Sequence, residues 1–379
     1  MARRLPSAPP VLSGFSYVRP LGTGGFADVF LFEQDMPRRP VAVKVLLQNV
    51  VDEGLLRMFN AEADIMARLS AHPSILTIYE ASVSADGRPY LVMEYCPGSL
   101  ATRYRREQIP LGEVLQTGIR IASALETVHR AELLHRDVKP SNILITQFGA
   151  PVLSDFGIAA AVAGAPDDEL FAMSIPWSAP EVVGERVSGS IAAEVWSLGA
   201  TVYTLLAGRS PFERSGEGQN TRERMRARIR RARYTPLGRP DVPEELEAIL
   251  ARAMSREPEE RYGSALDFAR ELQRVQHALG MPVTATEVAA DEWAAPVTPV
   301  DFNDGRLRGP VRSQVAYPSR RRAMRRRAAS ARAPEEGAAV DGGRAPGRAG
   351  LRLVLILAAA AVVVVGAAVT AAVILGLGR

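Results

Sequence analysis

Only two lysines, Lys44 and Lys139, stand in a chain whose other 44 Lys/Arg cations are all arginine. An ammonium is a compact point charge that fits among phosphate oxygens, whereas a guanidinium is a planar fork. Codon bias with two accidental survivors is the bland explanation, and the setting of each lysine speaks against it. Lys44 ends the strand-like run VAVK, shortly after the glycine-rich LGTGGFADV at 21–29. Such a hairpin lacks Cβ atoms and folds its backbone N–H groups over phosphate oxygens. By itself that signal is weak, since glycine turns are common and Ala27 stands where a third glycine is expected. Glu62 follows Lys44 by eighteen residues on a helical pattern, where its carboxylate either holds the ammonium or joins a solvated face.

The second lysine lies in HRDVKPSN, residues 135–142. This short loop carries a carboxylate, Asp137, two residues before the ammonium and five before an amide oxygen, Asn142. SDFG then places Asp155 eighteen residues beyond Asp137, just after a strand-like piece. Asn142 and Asp155 are the hard oxygen donors that Mg²⁺ takes together with phosphates and water. Residues of these types at fixed spacing form the strongest motif in the chain.

Hydropathy patterning supplies elements to position them. Residues 15–48 alternate like strands with a turn at 35–40, and 54–70 repeat apolar side chains at helical spacing. Residues 75–95 read as two more strands around Ala85, Asp86 and Gly87. After Cys96 the period turns helical over 111–134, and two short strand-like pieces follow at NILIT and PVLSD. Helical segments are predicted around 194–208, 221–233, 243–254 and 264–279. The expected fold class is α+β, a small β-rich lobe followed by a large helical one. Residues 1–13 are proline-rich and expected to be loose. Beyond about residue 280 Ala, Pro, Gly and Arg dominate, so no core is expected there.

Charge is distributed unevenly. Residues 1–290 carry 32 basic and 35 acidic side chains, whereas 291–352 carry 13 arginines and 7 acids, so the net +4 belongs to the tail. That balance argues against a nucleic-acid-coating protein. The single Cys96 excludes an intramolecular disulfide and a multi-cysteine zinc site, and suits a reducing compartment. No secretory signal is expected, because the first residues lack an apolar stretch.

The 25 residues from Leu353 to Leu377 contain no charge. As a helix they would span ~37 Å, against about 30 Å of bilayer hydrocarbon. A buried core helix would need a domain around it, and a polar Gly/Pro/Arg stretch precedes the run. A transmembrane helix at 353–377 is therefore expected. Arg344, Arg348 and Arg352, with Arg320–Arg322 and Arg325–Arg327 behind them, place that side in the cytoplasm. The same arginines could bind anionic lipid headgroups. Gly366/Thr370 and Ala368/Ala372 have the spacing of helix-pairing motifs, which leaves a homodimer open.

With these motifs in this order, residues 14–276 resemble the eukaryotic-like Ser/Thr protein kinases of bacteria. The resemblance implies a two-lobed protein kinase fold with ATP in the cleft, a flexible segment 1–13 before it and a disordered Arg-rich linker 277–352 after it. It implies that Leu21, Gly22, Gly24 and Val29 cover the nucleotide and that Ala42 packs on the adenine. Lys44 would hold the α- and β-phosphates, positioned by Glu62. Met93 would be the gatekeeper, and backbone from Glu94 to Cys96 would meet the adenine edge. Asp137 would orient the substrate hydroxyl and Lys139 would neutralise the transferring phosphoryl, while Asn142 and Asp155 hold Mg²⁺ or Mn²⁺. Glu181 of SAPE would pair with Arg261 of PEERY. Lys139 at its place after Asp137 favours Ser/Thr substrates over Tyr, and the SAPE segment disfavours small-molecule phosphotransferases. Proteins on the cytoplasmic side would be the substrates, with autophosphorylation on linker hydroxyls such as Thr284, Thr286, Thr298, Ser319 and Ser330. The competing class is a catalytically silent scaffold at the membrane, which has no need of Lys44, Glu62, Asp137, Asn142 and Asp155 together.

Three departures from the family pattern stand out. Glu194 replaces the usual Asp that braces the catalytic loop, and Ser174 stands at the Thr position facing the substrate. Residues 158–173 contain no Ser, Thr or Tyr, so no phosphorylated hydroxyl there can pair with Arg136. Asp167, Asp168 and Glu169 either supply a permanent partner for Arg136 or form an exposed acidic loop.

Overall fold

A computed structural model describes residues 4–25, 27–47, 53–156, 174–185 and 187–288, with backbone alone at 53–58, 61 and 62. Five strands form the first lobe: β1 (Phe15–Thr23), β2 (Ala27–Gln34), β3 (Arg39–Leu46), β4 (Ile78–Val83) and β5 (Pro89–Glu94). All neighbours are antiparallel, in the order β1-β2-β3-β5-β4. Helix α1 (Glu53–Leu69) joins β3 to β4, and its Phe59 and Ala63 pack on Ala27, Leu46 and Leu91.

Register decides what the sheet presents to each side. Val29 lies opposite Lys44, Lys44 opposite Leu91, and Ala42 opposite Met93. With side chains alternating along each strand, Val29, Ala42, Lys44 and Met93 share the face toward the second lobe. The other face carries Phe30, Phe32, Val41, Val43, Val45, Tyr90 and Val92, a separate buried cluster. Strands apolar on both faces need cover on both. Residues 4–13, expected to be loose, supply it: Leu12 is buried in that cluster and Arg88 donates to Ser7 Oγ and the Ala8 carbonyl. Proline content concealed a segment that packs through a few side chains.

The second lobe begins with β6 (Gly98–Ser99) and α2 (Leu100–Arg103), too short to leave a periodic trace, and then α3 (Leu111–Arg130). The helical pattern continues to 134, but α3 stops where Glu132 takes a left-handed φ of 58° and the Leu133 N–H returns to the Val128 carbonyl. Strands β7 (Ile143–Ile145) and β8 (Pro151–Leu153) pair antiparallel beside β6. The remaining α-helices among the described residues are α4 (Pro180–Val183), α5 (Ile191–Ala207), α6 (Arg222–Arg230), α7 (Glu244–Ala253) and α8 (Ala265–Ala278). Ser190 caps α5, accepting from the Ala193 N–H, and Gly208 at φ 70° ends it. Gly118 lets α3 meet its neighbours: a Cβ there would lie 2.8 Å from Leu272 Cδ1 on α8 and 3.1 Å from Val202 Cγ2 on α5.

Ordered contacts run past the expected start of the linker at 277. The Gln276 amide bonds both the N–H and the hydroxyl of Thr284, and Glu287 is held by His72 Nε2 and Ser123 Oγ. These ties are polar, so a search for large apolar residues passes over them. The remainder of the linker and the run 353–377 lie outside the described residues. Among the described residues no helix is long and apolar enough to cross a membrane.

Candidate functional site

The loop 135–142 leaves α3 and is pinned from beneath. His135 is fully buried, donates from Nε2 to the Ser154 carbonyl at 3.0 Å and accepts the Asp137 N–H at Nδ1. Burial drives its pKa down, so the imidazole is neutral and keeps that tautomer. Arg136 adopts a left-handed φ of 67°, a conformation that needs outside support. Glu194 on α5 supplies it, accepting the Arg136 N–H at 2.5 Å on one oxygen and His129 Nε2 at 2.7 Å on the other. The longer Glu side chain therefore reaches the loop backbone. His129 as its second partner was not foreseen, because nothing in a one-dimensional pattern joins residues 65 apart.

Three donors converge on Asp137. Ser174 donates its hydroxyl to Oδ1 at 2.7 Å, Lys139 Nζ lies 2.7 Å from Oδ2, and Asn142 Nδ2 donates to Oδ2 at 2.9 Å. Lys139 also donates to Ser174 Oγ at 2.8 Å. A hydroxyl thus sits between a carboxylate able to receive its proton and an ammonium able to neutralise negative charge.

Lys44, on β3, pairs with Asp155 at 3.2 Å across the two lobes. The Lys44 charge holds the Asp155 carboxyl below the usual carboxylate range, so it is ionised. Asp155 takes a left-handed φ of 54°, and Phe156 beside it packs on His135 at 4.7 Å. The Asn142 amide spends its Nδ2 on Asp137, which leaves Oδ1, approached at 3.3 Å by Ser141 Oγ, as its oxygen donor. An ionised carboxylate and an amide oxygen are a donor set that fits a hard divalent cation. Glu62 lies on α1, and its side chain is outside the described residues, so the expected pair with Lys44 is not described.

Above this pair stands the β1–β2 hairpin. Gly22 lies opposite Val29, and the Gly24 N–H bonds the Ala27 carbonyl at 2.8 Å. Leu21, Val29 and Cys96 are half-buried against the main core, with Ala42 and Met93 buried in it. Glu94 spends its N–H on the Thr77 carbonyl, so that group cannot meet a base edge. Burial raises the Glu94 pKa, and burial with the Glu94 charge pushes the Cys96 thiol up to about 12, leaving it an inert apolar wall.

Arg4 reaches this hairpin from the amino-terminal segment, a residue no motif singled out. Its guanidinium donates to both Asp28 oxygens and, at 3.2 Å, to the Gly24 carbonyl, and the Ser7 N–H adds a 2.7 Å bond to Asp28. Burial alone would raise the Asp28 pKa, but the hydrogen bonds from Arg4 and Ser7 outweigh it and keep the carboxyl ionised. Arg4→Ala should therefore loosen the hairpin and raise KM for a nucleotide about fivefold, with Arg4→Lys recovering part of the loss. Steady-state kinetics at varied ATP would show it, and an unchanged KM would separate the strap from the hairpin's work.

Behind Ser174, the segment to α4 is anchored by Arg261, whose guanidinium grips Glu181 at 2.7 and 2.9 Å. Arg136 packs its side chain beside Gly189. Asp167, Asp168 and Glu169 lie outside the described residues.

A model of the protein kinase domain family matches residues 15–277. Among curated relatives, the serine/threonine-protein kinase PknK of Mycobacterium tuberculosis is 39% identical over 301 residues, which is 77% of this chain and 26% of PknK. PknF of the same species is 34% identical over 283 residues, covering 71% of this chain and 57% of PknF. PrkC of Bacillus subtilis is 30% identical over 292 residues, covering 76% of this chain and 44% of PrkC. The chain thus spans about a quarter to a little over half of the length of these relatives, all three named as serine/threonine kinases. With the match extending over both lobes and over Lys44, Asp137, Lys139, Asn142 and Asp155, the chain belongs to the protein kinase domain family.

Proposed function

We propose that this chain transfers the γ-phosphate of ATP to serine and threonine hydroxyls of proteins at the cytoplasmic face of a membrane. The observation that carries this reading is the Ser174 hydroxyl held between Asp137 Oδ1 and Lys139 Nζ. A substrate hydroxyl in the same position would be aligned by the carboxylate, with the ammonium beside the phosphoryl it attacks. Asp137 needs no unusual basicity for this, since phosphoryl transfer is accelerated mainly by alignment and charge stabilisation. Asn142 and Asp155 would hold Mg²⁺, or Mn²⁺ with its similar oxygen preference, and Lys44 would bind the α- and β-phosphates. When bound, the cation supplies neutralisation of phosphate charge. The names of the relatives and the place of Lys139 support Ser/Thr over Tyr. The uncharged run 353–377 and the arginines before it support anchoring in a membrane with the kinase lobes inside the cell. Linker hydroxyls such as Thr298, Ser319 and Ser330 are the expected sites of autophosphorylation.

The test is phosphate transfer by the full-length chain from ATP with Mg²⁺ to a generic protein acceptor, the products being read by mass spectrometry. Phosphoserine or phosphothreonine is expected from the wild type and none from Lys44→Met. Phosphotyrosine alone, or bound ATP without any transfer, would overturn the reading.

A further inference from the structure

Helix α6 and its flanks, residues 221–234, read TRERMRARIRRARY: seven arginines and one glutamate in a region whose wider surroundings are slightly acidic. Met225 and Ile229 are buried and fix the helix on the lobe, while Arg224, Arg230, Arg231 and Arg233 are exposed. The cations crowd one another. Burial and the charges of Arg214 and Arg224 depress the Arg228 guanidinium pKa, although Gln219 and Asn220 oxygens hold it. Glu185, largely exposed, lies 3.5 Å from Arg226. The exposed Arg224, Arg230, Arg231 and Arg233 concentrate positive charge on one short helix and its end, which attracts an anionic partner.

Position identifies that partner. Ile175, Pro176, Asn220, Arg222 and Met225 line a hollow between α6 and the turn after Ser174. Pro176 is two residues from Ser174, whose hydroxyl occupies the contact proposed for the phosphoacceptor, so the hollow opens within ~7 Å of chain from it. An extended substrate advances ~3.3 Å per residue, and α6 is ~13 Å long, enough to lie beside several of its residues. We propose that the hollow and the arginines of α6 hold an acidic segment of the protein substrate adjacent to its phosphoacceptor, a specificity that rests on the kinase reading above. Placement beside the acceptor position favours a peptide over a lipid surface.

The experiment uses the full-length chain and peptides bearing one serine flanked on either side by three Glu or three Gln. In the wild type, KM for one of the Glu peptides should lie about tenfold below its Gln counterpart at equal kcat, and the gap should close between about 0.05 and 0.5 M salt. Arg222→Glu with Arg224→Glu should abolish that preference while leaving the Gln peptides within about twofold of wild type, which also reports that the variant is folded. Equal KM for Glu and Gln peptides in the wild type overturns the proposal, as does a preference that survives the charge reversal. Loss of binding to phosphatidylserine vesicles with peptide kinetics unchanged would assign the patch to the membrane instead. Phosphorylation of no peptide by the wild type would remove the kinase reading first, and this specificity with it.

Discussion

Asp137→Asn should lower kcat about a thousandfold while leaving KM for ATP within about twofold of wild type. The expectation follows from counting acceptors. Two carboxylate oxygens receive three donors here: the Ser174 hydroxyl on Oδ1, and Lys139 Nζ with Asn142 Nδ2 on Oδ2. An amide offers one accepting oxygen and one donating nitrogen in the same space. Turned one way, its NH₂ faces an ammonium and another amide donor. Turned the other way, its NH₂ faces the hydroxyl and cannot receive the proton. Either orientation also removes the negative charge that keeps Lys139 in place. Lys44 and Asp155 are untouched, so nucleotide affinity should survive. Single-turnover phosphate transfer at saturating ATP measures the effect. A loss of less than about tenfold would mean that Ser174 and Lys139 align the hydroxyl without the carboxylate.

The chemistry-bearing residues were legible because they cluster along the chain. Asp137, Lys139 and Asn142 fall within one short loop, and Asp155 follows β8, which pairs with β7 just before it in the chain. Strands and long helices were legible because their periods repeat often enough to stand out. What escaped the sequence has another origin. Arg4 meets Asp28 and Gly24, His129 meets Glu194, and His72 meets Glu287 through single hydrogen bonds or ion pairs between distant positions. A single polar contact leaves no periodic mark, so neither the ties of Arg4 and Ser7 nor those of Thr284 and Glu287 showed in the sequence. The apolar outer face of the sheet contained the missing clue. Phe30, Phe32, Val41 and Val43 could not have been left to solvent, and something in the chain had to cover them.

Arg261 should prove the most sensitive structural position in the second lobe. Its side chain has no exposure, and all five of its N–H donors are occupied: Nε by the Ser255 carbonyl, one terminal nitrogen by Glu181 and the Ala192 carbonyl, the other by Glu181 and the Arg256 carbonyl. The guanidinium also lies 5.0 Å from the Trp196 ring centroid, itself stacked on Phe212. Three parts of the lobe meet in this one group: the segment leading from Ser174 into α4, the start of α5 and the turn before α8. Arg261→Met removes every bond and leaves the Glu181 side chain unpaired beside uncovered carbonyls, which should cost about 4 kcal/mol. For a domain of this size that is a fall in Tm of roughly 8–16 °C. Arg261→Lys keeps the charge but cannot span the fork, so most of the loss should remain. Adding Glu181→Leu to Arg261→Met should restore part of the stability, because the unpaired charge is then gone. Thermal unfolding of the four proteins, each assayed at low temperature for phosphate transfer, separates the two consequences. If stability returns in the double variant but transfer does not, Arg261 holds the Ser174 segment in its working position; if both return together, the pair serves folding alone.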